Sequence, residues 1–308
     1  MKSSHSRFQT AIANARKHYP IYILVLPALA FFIVFKYFPM YGIQLAFREF
    51  RLYTPYHQMP WLGLEKFTAL VAEPEFWSAF RNTVIISLYQ LLFGFPVPVL
   101  LALLFSEIRF HGIQRFTQTV LTFPHFLSWV ILSGVFFNVL GSSGFLNNLL
   151  EVMKLPRQNF LMNPKTFRSL LVLTNVWKEA GWDSIIYIAA IMGVDTEMYE
   201  AAAMDGAGRI RQSLHITLPS IMGIVVVMFI LRVGNILNYN FQQVFMLYSA
   251  PVYGVADVIE TYIYRITFAK APDYSFSTAV GVFKGVIDMF LLLFANTVAK
   301  RLGYRGIY

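Results

Sequence analysis

The chain has 308 residues, of which 57% are hydrophobic and only 13% charged, and its mean hydropathy is +0.55. A soluble domain carries about 25% charged residues; the polar side chains here are too few to cover a water-facing surface, and the 30 phenylalanines suit contact with lipid. The formal charge of +9 sits in tails and loops beside apolar runs, the pattern that orients a membrane protein rather than one that grips nucleic acid, and the lack of cysteine excludes disulfides, thiol catalysis and cysteine–zinc sites.

Residues 1–19 are polar and basic, and no small-residue cleavage site follows them, so the first apolar run is expected to be retained as a span. A spanning helix needs about 20 mostly apolar residues. Six stretches qualify: 20–41, 80–105, 116–140, 169–193, 218–237 and 276–299. In the second, Gly94, Pro96 and Pro98 predict a kink, because each proline removes a backbone donor and crowds the preceding turn. The fourth is the least apolar, interrupted by Lys178, Glu179 and Asp183. Lys178 and Asp183 are a loose fit for an ion pair at five residues apart; Lys284 and Asp288 in the sixth run share a helix face and are placed to pair.

Six spans put both termini on one side. With the termini inside, the inner segments hold eleven Lys and Arg, and the longer outer ones hold nine. The density is higher inside, which places both termini in the cytoplasm. The expected organisation is a cytoplasmic tail (1–19), a first span with its outer loop (20–75), a five-helix core (76–299) with a cytoplasmic loop at 194–217, and a cytoplasmic tail (300–308).

That inner loop is the most informative segment. Asp195 or Thr196 is a good N-cap, Glu197 and Glu200 favour the positive end of a helix dipole, and Ala201, Ala202, Ala203 and Met204 are strong helix formers. Gly206 and Gly208 can end the helix in a left-handed turn. A second short basic helix, 209–215, is expected to lead to Leu218 and Pro219 in the first turn of the fifth span.

The same loop carries E-A-A, three residues, G, nine residues, I, one residue, L-P: Glu200, Ala201, Ala202, Gly206, Ile216, Leu218 and Pro219, with Asp205 ahead of the glycine. This resembles the cytoplasmic loop of ATP-binding-cassette importer permeases. Nearly the whole chain, from LPALAFFIVFKYFPMYGIQLAF through FPHFLSWVILSGVFF to VWKEAGWDSIIYIAAIMGVDTEMYEAAAMDGAG, is similar to the polysaccharide and complex-oligosaccharide branch of the sugar permeases. The resemblance implies an all-α membrane protein of the type I importer permease (MetI-like) fold in a bacterial inner membrane. It implies an oligo- or polysaccharide cargo, alginate among the candidates, moved by alternating access. The implied partners are a homologous second permease, two ATPase subunits that hold the ATP and magnesium and dock on Glu200–Gly206, and an extracytoplasmic solute-binding protein. No G-x-x-x-x-G-K-[ST] phosphate loop occurs in this chain, and no catalytic, cofactor or metal site is expected in it.

Sugars are recognised by hydrogen-bonding groups and flat aromatic faces. Asn175, Trp177, Trp182, Tyr187, Asn235, Asn238, Tyr239, Asn240 and Gln243 offer both near one end of the fourth and fifth spans, and Arg232 adds a cation suited to an acidic sugar. The same residue types also anchor helices at interfaces and join them to one another. Two other classes compete. Gly141-Ser142-Ser143-Gly144 fits the G-x-S-G of intramembrane serine proteases, but no histidine lies in the sixth run where that fold holds its base. An ion-driven transporter or channel leaves the E-A-A loop without a role. A reporter fused after Tyr308 should read as cytoplasmic; an extracytoplasmic signal would invert the topology.

Overall fold

The computed structural model describes residues 17–238, 241–269, 272–304 and 306–307. Among these it is helical, with 3-10 and π turns and one isolated bridge between Arg48 and Trp61. The chain divides into two compact units, Met1–Thr68 with Asp273–Val282, and Ala69–Pro272 with Phe283–Tyr308.

In the first unit, α1 (Tyr19–Phe32) runs on through further helical turns as an apolar stretch to Phe47, and its side chains are open as far as Tyr41. The segment after it folds on itself. Phe47 stacks on Trp61 with ring centres 5.6 Å apart, and Arg48 Nη1 donates to the Met59 carbonyl at 2.8 Å. Lys66 pairs with Asp273 at 2.8 Å, and the Phe50 amide donates to Ser275 Oγ.

The second unit contains α2 (Pro74–Tyr89), α3 (Pro96–Ser106), α4 (His111–Thr122), α5 (Trp129–Leu140), α6 (Phe145–Val152), α7 (Pro164–Ile191), α8 (Thr196–Met204), α9 (Arg209–Gln212), α10 (Leu218–Gly234), α11 (Phe241–Leu247) and α12 (Ile259–Tyr264); α13 (Tyr274–Arg301) begins in the first unit and ends here. Among the described residues, five stretches are long and apolar enough to cross a membrane: Tyr19–Phe47, Pro74–Ser106, Trp129–Val152, Arg209–Gly234 and Tyr274–Arg301. The fourth expected span, α7, is a single helix of 28 residues. At 1.5 Å per residue it exceeds the ~30 Å hydrocarbon thickness, but it carries Lys165, Arg168, Lys178, Glu179 and Asp183 and is not among those apolar stretches.

The third expected span is displaced. Residues 116–140 do not form one helix: α4 ends at Thr122, a 3-10 turn Phe123–Phe126 follows, and α5 begins at Trp129 with Ser128 as its cap, accepting from the Ile131 amide. Pro124 inside the turn cannot donate, and hydropathy alone does not register that break. The apolar crossing stretch runs instead from Trp129 to Val152.

Three prolines are accommodated in one way. Pro39, Pro96 and Pro219 each stand two residues after a π turn: Ile33–Tyr37, Gln90–Gly94 and Ser213–Thr217. In each case the residue before the proline donates five residues back, from Phe38 to Ile33, Phe95 to Gln90 and Leu218 to Ser213. A proline ring clashes with the carbonyl four residues earlier; widening the turn moves that carbonyl aside and lets the helix continue. The kink expected around Gly94 and Pro96 is therefore a π bulge. The expected short basic helix at 209–215 is no separate element: α9 passes through its π turn into α10, making one helix from Arg209 to Gly234 with Pro219 in its interior.

The centre of this unit is α7, which packs against α2, α3, α4 and α10. One buried cluster joins Phe167 and Leu171 of α7 to Ile86, Trp129, Leu132, Val244 and Leu247. Another sets Tyr187 against Val99 and Ala102 of α3, with Leu218 and Met228 of α10 beside it. Gly181 permits the closest approach, since a Cβ there would collide with the Leu121 carbonyl oxygen at the end of α4. Gly181→Leu should cost about 3 kcal/mol, the upper range for overpacking, read as a lower melting midpoint in detergent. Gly134→Ala, which enters open space, should leave the midpoint unchanged or slightly raised.

Candidate functional site

Two regions stand out, a loop helix at one end of the bundle and a polar cavity within it. The loop helix is α8. Asp195 caps it by accepting from the Glu197 amide at 3.0 Å, and the helix ends in a Schellman motif: the Ala207 amide donates to the Ala202 carbonyl, and Gly206 to Ala203. Gly206 supplies the required left-handed turn with φ +77°. Glu200, Ala201 and Asp205 face solvent, and Met204 and Ile210 are 89% and 79% exposed. Exposed large apolar groups around a helix mark a surface that another protein covers.

This helix is fastened to α10. Tyr199 Oη lies 2.9 Å from the buried Thr217 Oγ1, and Gln212 Nε2 donates to the carbonyls of Ala207 (3.1 Å) and Tyr199 (3.4 Å). Glu107, just past α3, accepts from Ser213 Oγ at 2.9 Å and lies 3.5 Å from Arg209. Ile216 is half-buried in the π turn, Leu218 packs near Tyr187, and Pro219 is exposed.

The cavity, about 280 Å³, is lined by Ser87 and Gln90 of the second span, Asn175, Glu179 and Asp183 of α7, and Arg232, Asn235 and Asn238 at the far end of α10. A smaller one of about 60 Å³ is bounded by Gly94, Phe95, Pro98, Tyr187 and Met228, and shares Asp183 and Arg232 with the first. Asn175, Glu179, Asp183 and Tyr187 recur every fourth residue, so one face of α7 forms the wall of both. Gln90 donates from Nε2 to Asn175 Oδ1 at 2.7 Å, while its buried Oε1 has no hydrogen-bond partner among the described residues.

The charges along α7 are paired, though not as the spacing suggested. Lys178 contacts Glu179 rather than Asp183, at 2.8 Å, and also donates to the His125 carbonyl. His125 Nδ1 lies 2.6 Å from the other Glu179 oxygen. Asp183 faces Arg232 at 3.7 Å. Lys284 pairs with Glu260 instead of Asp288, and Asp288 accepts from the Leu237 amide and from Asn238 Nδ2 at 2.9 Å. The closer partner is the adjacent residue for Lys178, and a separate segment of the chain for Lys284 and Asp288.

Of the expected sugar contacts, Asn175, Arg232, Asn235 and Asn238 line the larger cavity and Tyr187 the smaller. Three lie elsewhere. Trp177 is on another face of α7, edge-on to Phe136; Trp182 stacks on His125 at 4.3 Å; Gln243 is buried and donates to the Leu171 carbonyl and Thr174 Oγ1. Tyr239 and Asn240 fall outside the described residues. Ser87 and Gln90 are isolated polar residues in an apolar run, so no local sequence signal marks them. The Gly141–Gly144 stretch is a turn tied by Asn147, which donates to Gly141, and by Arg157, which donates to Ser142; His125 is engaged by Glu179.

Beyond the cavity, a polar clamp holds the segment after α11 to the bundle. Asn82 Nδ2 donates to the Asp257 and Gly254 carbonyls, and Arg168 donates to Asn82 Oδ1 and the Val255 carbonyl. Asp257 pairs with Arg265 at 2.8 Å. Burial opposes the Arg265 charge, but the hydrogen bond and charge of Asp257 leave its pKa raised.

A helical bundle with a polar cavity and an exposed, tethered loop helix is the architecture of a multi-pass membrane permease. Residues 94–304 match the family described as binding-protein-dependent transport system inner membrane component, and the chain belongs to that family. It is 43% identical over 289 residues to the polygalacturonan/rhamnogalacturonan transport system permease protein YteP of Bacillus subtilis (94% of this chain, 90% of the relative). It is 40% identical over 291 residues to protein LplB of the same organism (94% and 91%). Its structure is similar to that of a bacterial ABC transporter involved in the import of the acidic polysaccharide alginate, with a TM-score of 0.86, 38% identity and coverage of 95% of this chain and 99% of the other. Tyr199→Phe should remove one anchor worth about 1 kcal/mol, so amide exchange across Thr196–Met204 should quicken by up to about tenfold; unchanged exchange would show that Tyr199 does not hold α8.

Proposed function

We propose that this chain, with a homologous second permease, lines the membrane pathway of an ATP-driven importer of acidic oligosaccharides. Two ATPase subunits, which hold the ATP and Mg²⁺, dock on Glu200, Ala201, Ala202, Asp205 and Gly206, with Ile216, Leu218 and Pro219 carrying the motion into the bundle. An extracytoplasmic binding protein delivers the sugar from the opposite face. Both termini are cytoplasmic, and residues 76–299 act as the permease core.

One observation carries the reading. The helix Arg209–Gly234 is continuous, holds α8 at one end through Gln212 and Thr217, and presents Arg232 to the cavity at the other. At 1.5 Å per residue its 26 residues span about 39 Å. A displacement of α8 by a closing ATPase pair therefore reaches the cavity through one continuous helix rather than through a loop. The polar wall of the cavity supports a sugar cargo, with Asn235 and Asn238 offering exposed amides beside Asn175 and Gln90. An acidic cargo is supported by Arg232 and by relatives whose names specify polygalacturonan and alginate.

Access alternates because ATP and the loaded binding protein each favour one state, through their differential affinities. Expressed with its native neighbours and purified by a tag, the chain should bring down an ATPase and a second permease in stoichiometric amounts. Gly206→Pro removes both the left-handed turn and the amide that ends α8, since proline is held near φ −65°; Glu200→Lys inverts the charge of the docking surface. Either should reduce ATP-driven uptake at least tenfold at normal membrane levels, and undiminished uptake would remove α8 from the coupling route.

A further inference from the structure

We propose that Arg232 and Asp183 form a carboxylate-exchange gate between the two cavities, in which Asp183 stands in for the carboxylate of an acidic sugar until the cargo arrives. The proposal rests on the acidic-oligosaccharide reading above and names the residue pair that enforces it.

The placement comes first. Asp183 and Arg232 are the two residues common to the linings of the 280 Å³ cavity and the 60 Å³ cavity, so the pair is the boundary between them. The smaller cavity lies on the docking-loop side, since Tyr187 follows Asp183 one turn nearer the end of α7. Its far wall is the proline-rich start of α3 after the π bulge, with Phe95 and Pro98. A solute passing from one cavity to the other along this wall meets Arg232 and Asp183.

The quality of the pair comes second. A guanidinium has five N–H donors and binds a carboxylate best through two parallel hydrogen bonds. Here the closest approach is a single 3.7 Å contact, and among the described residues the Arg232 guanidinium makes no hydrogen bond. Arg232 is the only cation among the residues lining either cavity. The other wall carboxylate, Glu179, does not compete for it, because Lys178 and His125 occupy both its oxygens. Arg232 thus retains an open fork in the last turn of a crossing helix, and an ionisable group of such a helix that faces a cavity is expected to serve the transported species.

The same cavity carries reachable amides. Asn235 and Asn238 stand exposed at its wall, and a side-chain amide can both donate to and accept from a sugar hydroxyl. The cavity therefore offers amides for hydroxyls and a cationic fork for a carboxylate, the two groups that together define a uronic acid.

Exchange follows from charge. A neutral sugar gives Arg232 nothing to prefer over Asp183, and the boundary stays closed. A sugar carboxylate takes the open fork, Asp183 is released, and the boundary parts. Once the ring has passed, Asp183 recovers Arg232 and expels the carboxylate, which keeps the hold weak enough for transport.

The test uses the whole complex of this permease with its second permease and a hydrolysis-deficient ATPase pair, trapped with ATP and without the binding protein, so that selectivity belongs to the membrane subunits. The probes are fluorescent trigalacturonate and the same trisaccharide with its carboxyl groups reduced to alcohols. The wild type should bind the acid at least tenfold tighter than its reduced form. Arg232→Gln should bring that ratio close to one, Arg232→Lys should keep part of it, and Asp183→Asn should raise it while slowing uptake in proteoliposomes. A wild-type preference that survives in Arg232→Gln would overturn the gate and leave the acidic-cargo reading standing. A wild type that binds the reduced sugar equally well would overturn that reading and the gate with it. Because Asp183→Asn is expected to move the ratio the opposite way, general misfolding cannot imitate the expected result.

Discussion

Charge at membrane depth has to be paired or wetted, and α7 carries Lys178, Glu179 and Asp183 within six residues. That requirement fixes the helix at the centre of its unit. Lys178, 6% exposed, reaches Glu179 and the carbonyl of His125, which the 3-10 turn at Phe123–Phe126 frees from helical bonding. His125 then closes on Glu179, and Trp182 stacks on the His125 ring. The break after α4 is thus the partner the charges of α7 need, and Gly181 lets the two backbones approach closely enough to meet. Taking one member away would strand a buried charge, which costs far more than the pair contributes.

With α7 central, its period does the rest. Asn175, Glu179, Asp183 and Tyr187 fall on one face and turn a polar stripe toward the second span and α10, while Trp177 falls on another side and packs on Phe136. The second span can face that stripe because its π bulge at Gln90–Gly94 reorients the chain: Gln90 meets Asn175, and Gly94 leaves room that a Cβ would take from the Gln90 amide. Helices broken in this way are tolerated in a membrane where the backbone groups they free lie against protein or water.

Much of this was legible in the amino-acid order. Apolar runs located the spans, and charge, caps and alanines marked α8 down to its glycine stop, because these signals are local. What the sequence left open is long-range. Lys284 and Asp288 satisfy a helical spacing rule, yet Glu260 and Asn238 lie nearer in space, and no local rule ranks such rivals. Gln243 carries the same amide as Asn175, but its place under Leu171 makes it structural. The apolar run at 116–140 conceals a break, since hydropathy averages over Pro124 and the Ser128 cap. Pro219 reads as a start signal only if a helix begins there; the π turn Ser213–Thr217 lets one continue through it.

That continuity has a thermodynamic corollary. The helix Arg209–Gly234 is fixed to α8 at one end and borders the cavity at the other, so any state that moves one end changes the surroundings of both. Linkage makes the effect mutual: if ATPase closure alters how Arg232 faces Asp183, then a ligand that separates Arg232 from Asp183 must bias ATPase closure by the same free energy. The continuous helix is the element that joins the two ends. Only the difference in a ligand's affinity between the two states counts, however tightly it binds either. A loose 3.7 Å pair is well suited to this: it holds the cavity's cation in place without spending so much attraction in one state that a competing carboxylate is unable to tip the balance.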